Sequence, residues 1–391
     1  MKLLWLSICV ALILPSCSRP QNESIQRPMD SWAESSPEEQ GMDGARLFAL
    51  DSSLADEHGN IDGLLVIRND RVVYEKHYSR DYDDMNDERG QAPGLYNYHD
   101  PEWHPYYQRG ELHTMQSVTK SVTSALIGIA IGRGEIAGLQ VPVIDFLDDY
   151  EIANLDEWKR SMILQDLLTM RAGIAWDEDS VPYTDPENSC AGMENSDDWI
   201  QFVADQPMAR QPGTEFLYNS GASQLLSLII KKATGMHVDE YAEEHLFGPL
   251  GITSYFWKTT PTGFPDTEGG LYLTARDLAK IGYLYLMDGV WGQVRVLPEG
   301  WVGTSVERHV EDTGWLGMGY GYQWWLVPWG SNGDSYAYAA IGYGGQRLFV
   351  VPELDLVAVF TGWNIDDFPA LDPRFALDAV LGAVSSRPER S

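Results

Sequence analysis

The chain has 391 residues, 44% of them hydrophobic and 12% aromatic, with 58 acidic against 27 basic side chains and a net charge of −31. This length and apolar content fit one large folded unit or two smaller ones and argue against a disordered chain. The acidic excess repels phosphate backbones and anionic headgroups, so nucleic acid is not an expected partner, and solubility is its simplest reading. Three cysteines (Cys9, Cys17 and Cys190) form no evident disulfide framework, and no Cys/His grouping has zinc spacing, so neither a metal nor a cofactor is expected.

Residues 1–17 begin with one lysine, Lys2, followed by an apolar run from Leu3 to Pro15. The run is short for a membrane span and has the layout of a secretory signal peptide. It ends Leu14-Pro15-Ser16-Cys17, similar to a bacterial lipoprotein cleavage box, although Pro15 departs from the usual small residue. Export across the inner membrane is therefore expected, to a periplasmic or outer-membrane position, with Cys17 as candidate lipid-bearing residue and plain secretion as the alternative. Residues 18–40 read as a polar tether.

A first helix is expected over Glu39–Glu57. Gly63–Glu75 has two β-rich runs around Asn69-Asp70, a hairpin signal. Residues 79–112 are acidic, aromatic and turn-rich, and read as a long surface loop. Helical patterns follow at Ile163–Thr169, Asp197–Ala204, Gly221–Thr234, Val238–Phe247 and Thr274–Met287, the last with a capped start. β-rich runs return at Tyr320–Val327, Ser335–Ile341, Gln346–Val351 and Leu356–Thr361, before a final helix over Pro373–Val384. The simplest architecture is an α/β (α+β) domain built from residues 41–115 and 288–391, an antiparallel sheet flanked by helices, with a mostly helical domain, residues 116–287, inserted between its halves. The cleft between two such units is a usual place for a small-molecule site.

The stretch of greatest chemical interest is Ser117-Val118-Thr119-Lys120, which opens an apolar helix. Residues three apart share a helical face. A serine at that end has its N–H among the groups without an intrahelical acceptor, where the helix also carries partial positive charge. A lysine set among apolar residues is expected to lose solvation and to have a lowered pKa, which suits it to act as a base for the serine. The spacing alone is weak, since Ser-x-x-Lys arises by chance on the order of once in a chain this long. Two further stretches add to it: Tyr218-Asn219-Ser220 at a helix start, where a phenol can project into a cleft, and Gly342-Tyr343-Gly344-Gly345-Gln346, where glycines such as Gly344 let backbone run close to a ligand.

With these pieces in order, joined by Asp166–Gly173 and by Gly269-Gly270-Leu271-Tyr272-Leu273-Thr274-Ala275-Arg276-Asp277, the chain resembles the penicillin-recognising serine hydrolase superfamily over residues 60–370. Within it the chain is most similar to class C β-lactamase-like esterases and amidases, in particular the nylon-oligomer (aminohexanoate-dimer) hydrolases. The resemblance implies a β-lactamase/transpeptidase-like fold and hydrolysis of small esters or amides through an acyl-enzyme. It implies Ser117 as nucleophile, Lys120 and Tyr218 as shared general base, and the N–H groups of Ser117 and Tyr343 as oxyanion hole. It also suggests that Tyr183 hydrogen-bonds a scissile amide nitrogen and that Trp176 walls the acyl pocket, with an exposed loop tyrosine and a packing tryptophan as the plainer alternatives. Tyr343-Gly344-Gly345 replaces the Lys-Thr-Gly of β-lactamases and penicillin-binding proteins, and Ser220 stands where the Tyr-x-Asn motif has asparagine, which speaks against a D,D-peptidase or β-lactamase. Glu268 stands where the nylon-oligomer enzymes have asparagine, able to meet a substrate ammonium or simply to be solvated. A non-catalytic envelope sensor on the same scaffold is the alternative from another class. The expected partner is a small ester or amide, with a membrane involved only through Cys17.

Overall fold

The computed structural model describes residues 32–56, 61–78, 108–109, 111–330, 335–363 and 371–385. The leader, Cys17 and most of the 79–112 stretch therefore lie outside the described residues.

An eight-stranded sheet forms the centre. Its order is Ala33–Glu34, Arg71–His77, Ile61–Arg68, Leu356–Gly362, Gln346–Val351, Ser335–Gly342, Trp325–Trp329 and Gly319–Tyr320. Every pairing is antiparallel except the short edge contact of Ala33–Glu34 with Arg71 and Val72. The central strands alternate in what they bury. Leu65, Ile67, Leu348, Val350, Val357 and Val359 face one core, while Leu64, Val66, Phe349, Val351, Ala358 and Phe360 face the other. A sheet covered on both sides makes its strands read as continuous apolar runs. One cover is the Gly44–Asp56 and Pro373–Gly382 helix pair; the other is Ala275–Leu286 together with Val118–Gly132. The remaining helices, among them Leu164–Leu168, Trp199–Asp205 and Ser220–Thr234, pack beyond Val118–Gly132 around the same core.

The 69–70 hairpin turn has positive φ at both Asn69 and Asp70, the geometry that matches the twist of the strands it joins. Thr274 caps its helix as its sequence suggests, accepting from the Asp277 N–H at 3.0 Å. Two boundaries differ from the sequence reading. The first helix begins at Gly44: Gly41, with φ of 67°, ends a separate turn, and the Asp43 carboxylate accepts from the N–H groups of Ala45 and Arg46. The Tyr320–Val327 run is two strands, because Gln323 turns the chain with φ of 62° and Gly321 N–H closes the loop on Trp324 O at 2.8 Å.

Candidate active site

Three strands of chain converge on Ser117. The first carries the serine itself. Leu112–Thr114 pairs with Leu271–Leu273, and the Met115 N–H bonds Leu271 O at 2.8 Å, so the chain enters the helix at a fixed angle. Gln116 sits in the left-handed region with φ of 47°, and Ser117 follows at the N-terminal end of Val118–Gly132. The second strand of chain carries Tyr218. Leu217 N–H bonds Met170 O and Gly213 N–H bonds Arg171 O, each at 2.8 Å, which ties this loop to the Asp166–Gly173 stretch. Asn219 then caps Ser220–Thr234, accepting from Ala222 N–H at 2.7 Å. The third is the end of Ser335–Gly342. A Cβ at Gly342 would stand 2.4 Å from Met115 O, so only glycine lets this strand approach the serine turn and present Tyr343 beside it. Gly344 adopts φ of 77° at the following bend.

At the meeting point Lys120 Nζ donates to Ser117 Oγ at 2.8 Å and to Glu268 O at 2.8 Å, and stands 3.4 Å from the Glu268 carboxylate. Tyr218 stands beside this pair, with Lys120 Nζ 5.2 Å from the centroid of its ring. Lys120 is buried, Ser117 and Tyr218 half-buried. The electrostatics correct the sequence reading of Lys120. Burial does pull its pKa down, but the charges of Tyr218, Glu268 and Glu178 together outweigh burial and hold the ammonium above its ordinary range. Burial pushes the Tyr218 phenol up, opposed first by the charge of Lys120. Burial, then the nearby Asp266 carboxylate, pushes Glu268 above the usual carboxylate range, against the pull of Lys120.

A cleft of about 550 Å³ opens over Ser117 and is lined by Tyr183, Tyr218, Tyr343 and Gly344, with Asp179, Phe216, Trp315 and Trp325 added. Ser220, Glu268 and Trp176 are near the centre but do not line it. Ser220 donates its N–H and its hydroxyl to the Glu178 carboxylate, each at 2.8 Å. Trp176 is buried, donates Nε1 to the same carboxylate and packs edge-on against Phe202. Tyr183 donates its hydroxyl to Glu178 at 3.1 Å and lies 5.3 Å, ring to ring, from Tyr343. Glu178 is thus a buried anchor that collects four donors from the loops around Tyr218, and the sequence reading did not single it out. Its signal was a carboxylate two residues beyond Trp176 and five before Tyr183. Gln323 was missed too: from one buried turn it ties Ser121, Ser223 and the carbonyls of Leu167 and Leu168 together.

Behind Lys120, Glu194, Asp266 and Glu268 bring one carboxylate oxygen each within 4.8 Å of one another, the grouping among the described residues that could hold a cation. Two lysines already supply positive charge there. Lys258 Nζ is 3.1 Å from Asp266 and 3.6 Å from Glu194, and Lys120 faces Glu268.

A serine held by a lysine on the next helical turn, with a phenol from a separate loop, is an arrangement suited to serine acyl transfer, set beside a mostly antiparallel sheet covered by helices. The chain belongs to the beta-lactamase family, whose pattern matches residues 38–380, and it is a hydrolase of that fold. It is 29% identical over 309 residues to the 6-aminohexanoate-dimer hydrolase of Paenarthrobacter ureafaciens, covering 70% of this chain and 76% of that protein. In fold it is similar to a D-stereospecific amidohydrolase from Streptomyces sp. (TM-score 0.60, 17% identity, 86% and 98% of the two chains) and to a family VIII carboxylesterase (TM-score 0.63, 15% identity, 90% and 98%).

Proposed function

We propose that this hydrolase cleaves small carboxylic esters or amides through an acyl-enzyme on Ser117. The observation that carries the reading is the convergence of three side chains: Lys120 Nζ stands 2.8 Å from Ser117 Oγ and 5.2 Å from the Tyr218 ring centroid, and Ser117 and Tyr218 both line the cleft. Lys120 holds its charge at rest, so its part is to orient Ser117 and to stabilise negative charge on the Tyr218 oxygen. In its ionised form, which the Lys120 charge favours, Tyr218 takes the serine proton as Oγ attacks the carbonyl, becoming a neutral phenol that then passes the proton to the departing alcohol or amine. The N–H groups of Ser117 and Tyr343 receive the developing oxyanion, each such donor being worth roughly 3–4 kcal/mol in a transition state. Water attacks the acyl-enzyme by the same relay in reverse. Tyr183, across the cleft wall, is suited to meet the leaving group; Ser220, Trp176 and Glu268 support the loops and the lysine from behind. Cell-wall-type substrates are disfavoured, because the cation lining the cleft, Arg347, donates to the carbonyls of Gly342, Gln346 and Leu371.

The test is turnover of 4-nitrophenyl butyrate and a set of short amides, with fluorophosphonate labelling. Ser117→Ala is expected to lose labelling and to lower kcat by a factor on the order of 10⁴. Turnover near the parent rate would overturn the assignment. For the leader we propose export and lipid attachment at Cys17, supported by the Leu14–Cys17 pattern; labelled palmitate should enter the parent and not Cys17→Ala.

A further inference from the structure

The turn that carries Tyr343 is tied down by a buried cation. Arg347, at the start of Gln346–Val351, is 6% exposed. Its Nη1 donates to Gly342 O at 2.6 Å and to Gln346 O at 2.8 Å, and its Nη2 donates to Leu371 O at 2.7 Å. Burial pulls the guanidinium down to about 10, opposed by the charge of Asp372, so the side chain is cationic at neutral pH. Its Nε has no hydrogen-bond partner among the described residues. Leaving a buried donor unpaired is costly, so the side chain is not placed to satisfy itself; its geometry serves the carbonyls.

One of those carbonyls matters to the chemistry. Gly342 O and the Tyr343 N–H belong to the same peptide unit, which is planar and trans, so the two point in opposite directions. Holding the oxygen therefore aims the N–H. The aim needs a tether, because Gly344 and Gly345 follow with φ of 77° and 99°, and glycine adopts many backbone conformations. Gln346 adds a second tie: its Nε2 donates to Tyr343 O at 3.3 Å and its Oε1 accepts from the Gly362 N–H at 3.2 Å. A charged donor on the Gly342 carbonyl also polarises the amide, which makes the Tyr343 N–H a stronger donor. We propose that Arg347 is a positioning residue of the oxyanion hole, clamping and polarising the Gly342–Tyr343 peptide so that its N–H meets the oxyanion that forms at Ser117. The inference deepens the hydrolase reading and rests on its use of the Tyr343 N–H.

The test pairs kinetics with a spectroscopic readout. Arg347→Met keeps the length of the side chain and removes its donors. It is expected to lower kcat with 4-nitrophenyl butyrate on the order of tenfold to a hundredfold, less than the loss of an oxyanion donor outright. KM should stay within about twofold, because acylation and deacylation both pass through an oxyanion and slow together. Arg347→Lys, which keeps the charge and loses the fork, should recover part of the rate. The chain has four Gly–Tyr peptides, at Gly282-Tyr283, Gly319-Tyr320, Gly321-Tyr322 and Gly342-Tyr343. Protein labelled with carbonyl-¹³C glycine and ¹⁵N tyrosine reports these peptides alone, and Tyr343→Phe assigns the last. In Arg347→Met the Gly342 carbonyl and the Tyr343 amide proton should both move upfield while the other three signals stay. A folded Arg347→Met with parent-like kcat, or with an unmoved Gly342 signal, overturns the proposal. Should that variant not fold, Arg347→Lys is read in its place, and parent-like kcat or an unmoved signal there overturns it equally. An active parent with an unaffected variant sinks this inference alone, whereas a parent that neither turns over nor takes the fluorophosphonate label sinks the hydrolase reading and this inference with it.

Discussion

Two lysines in this protein are equally buried and behave in opposite ways. Lys159 and Lys120 are each about 1% exposed. Lys159 ends against the helical block, where its ammonium donates to Ala204 O and Gln206 O, both at 2.6 Å. Its surroundings are neutral dipoles, so burial dominates and lowers its pKa, with Asp156 and Asp205 opposing. Lys120 meets a serine, a carbonyl, a carboxylate and a phenol, and the charges outweigh burial. Burial alone therefore does not tell a base from a brace. What decides is whether negative charge lies within a few ångströms, because Coulomb energies grow as the effective dielectric falls.

Among variants that keep the Ser117 nucleophile, deleting the Lys120 amine should have the largest effect on turnover. Lys120→Ala is expected to lower kcat/KM by a factor on the order of 10³, read with a nitrophenyl ester. Tyr218→Phe comes next, with a loss on the order of 10²–10³, since the lysine remains to hold Ser117 but the proton has lost its acceptor. If Tyr218→Phe kept more than half the parent rate, the relay would have to run through Lys120 alone, and the contrast between the two lysines would lose its chemical meaning. Lys159→Met should invert the pattern. Its cost is stability, about 2–4 kcal/mol by urea unfolding, because two helix-end carbonyls lose their donor. Its kcat/KM should stay within about twofold of the parent below the unfolding transition.

The sheet was readable because both of its faces are covered: strands such as Leu356–Gly362 show as apolar runs whichever way they point. Ser117, Lys120 and Tyr218 were readable because each opens, or lies one turn into, a helix with an evident start. The direction of the Lys120 shift was not, since it depends on Tyr218, then Glu268 and Glu178, which reach it from distant parts of the chain. Glu178 and Gln323 are polar residues whose partners come from separate loops, and no local period or cap betrays such a hub. Asp179 was hidden in the same way: Asp177-Glu178-Asp179 reads as one solvated acidic run, yet the fold turns one carboxylate back to Ser180, one inward as an anchor and one along the cleft.

The smallest expected effect is also the one that separates the two possible jobs of Lys120. Glu268→Gln removes a charge that raises the Lys120 pKa while leaving the backbone carbonyl bond to Nζ in place. Because the Glu268 carboxyl is itself held above the usual range, it is uncharged in acid, and variant and parent should show the same pH–rate curve there. They should diverge only above the pH at which Glu268 ionises. In that window the variant's lysine gives up its proton more readily, so the limb governed by Lys120 moves to lower pH. With the ammonium as the working form, activity rises with pH as Tyr218 ionises and falls once Lys120 is neutral; the falling limb of kcat/KM is the one that should move, by a fraction of a unit to about one unit. Movement of the rising limb instead would mean that the neutral amine is the base, and that the charge around Lys120 hinders the reaction it was taken to assist.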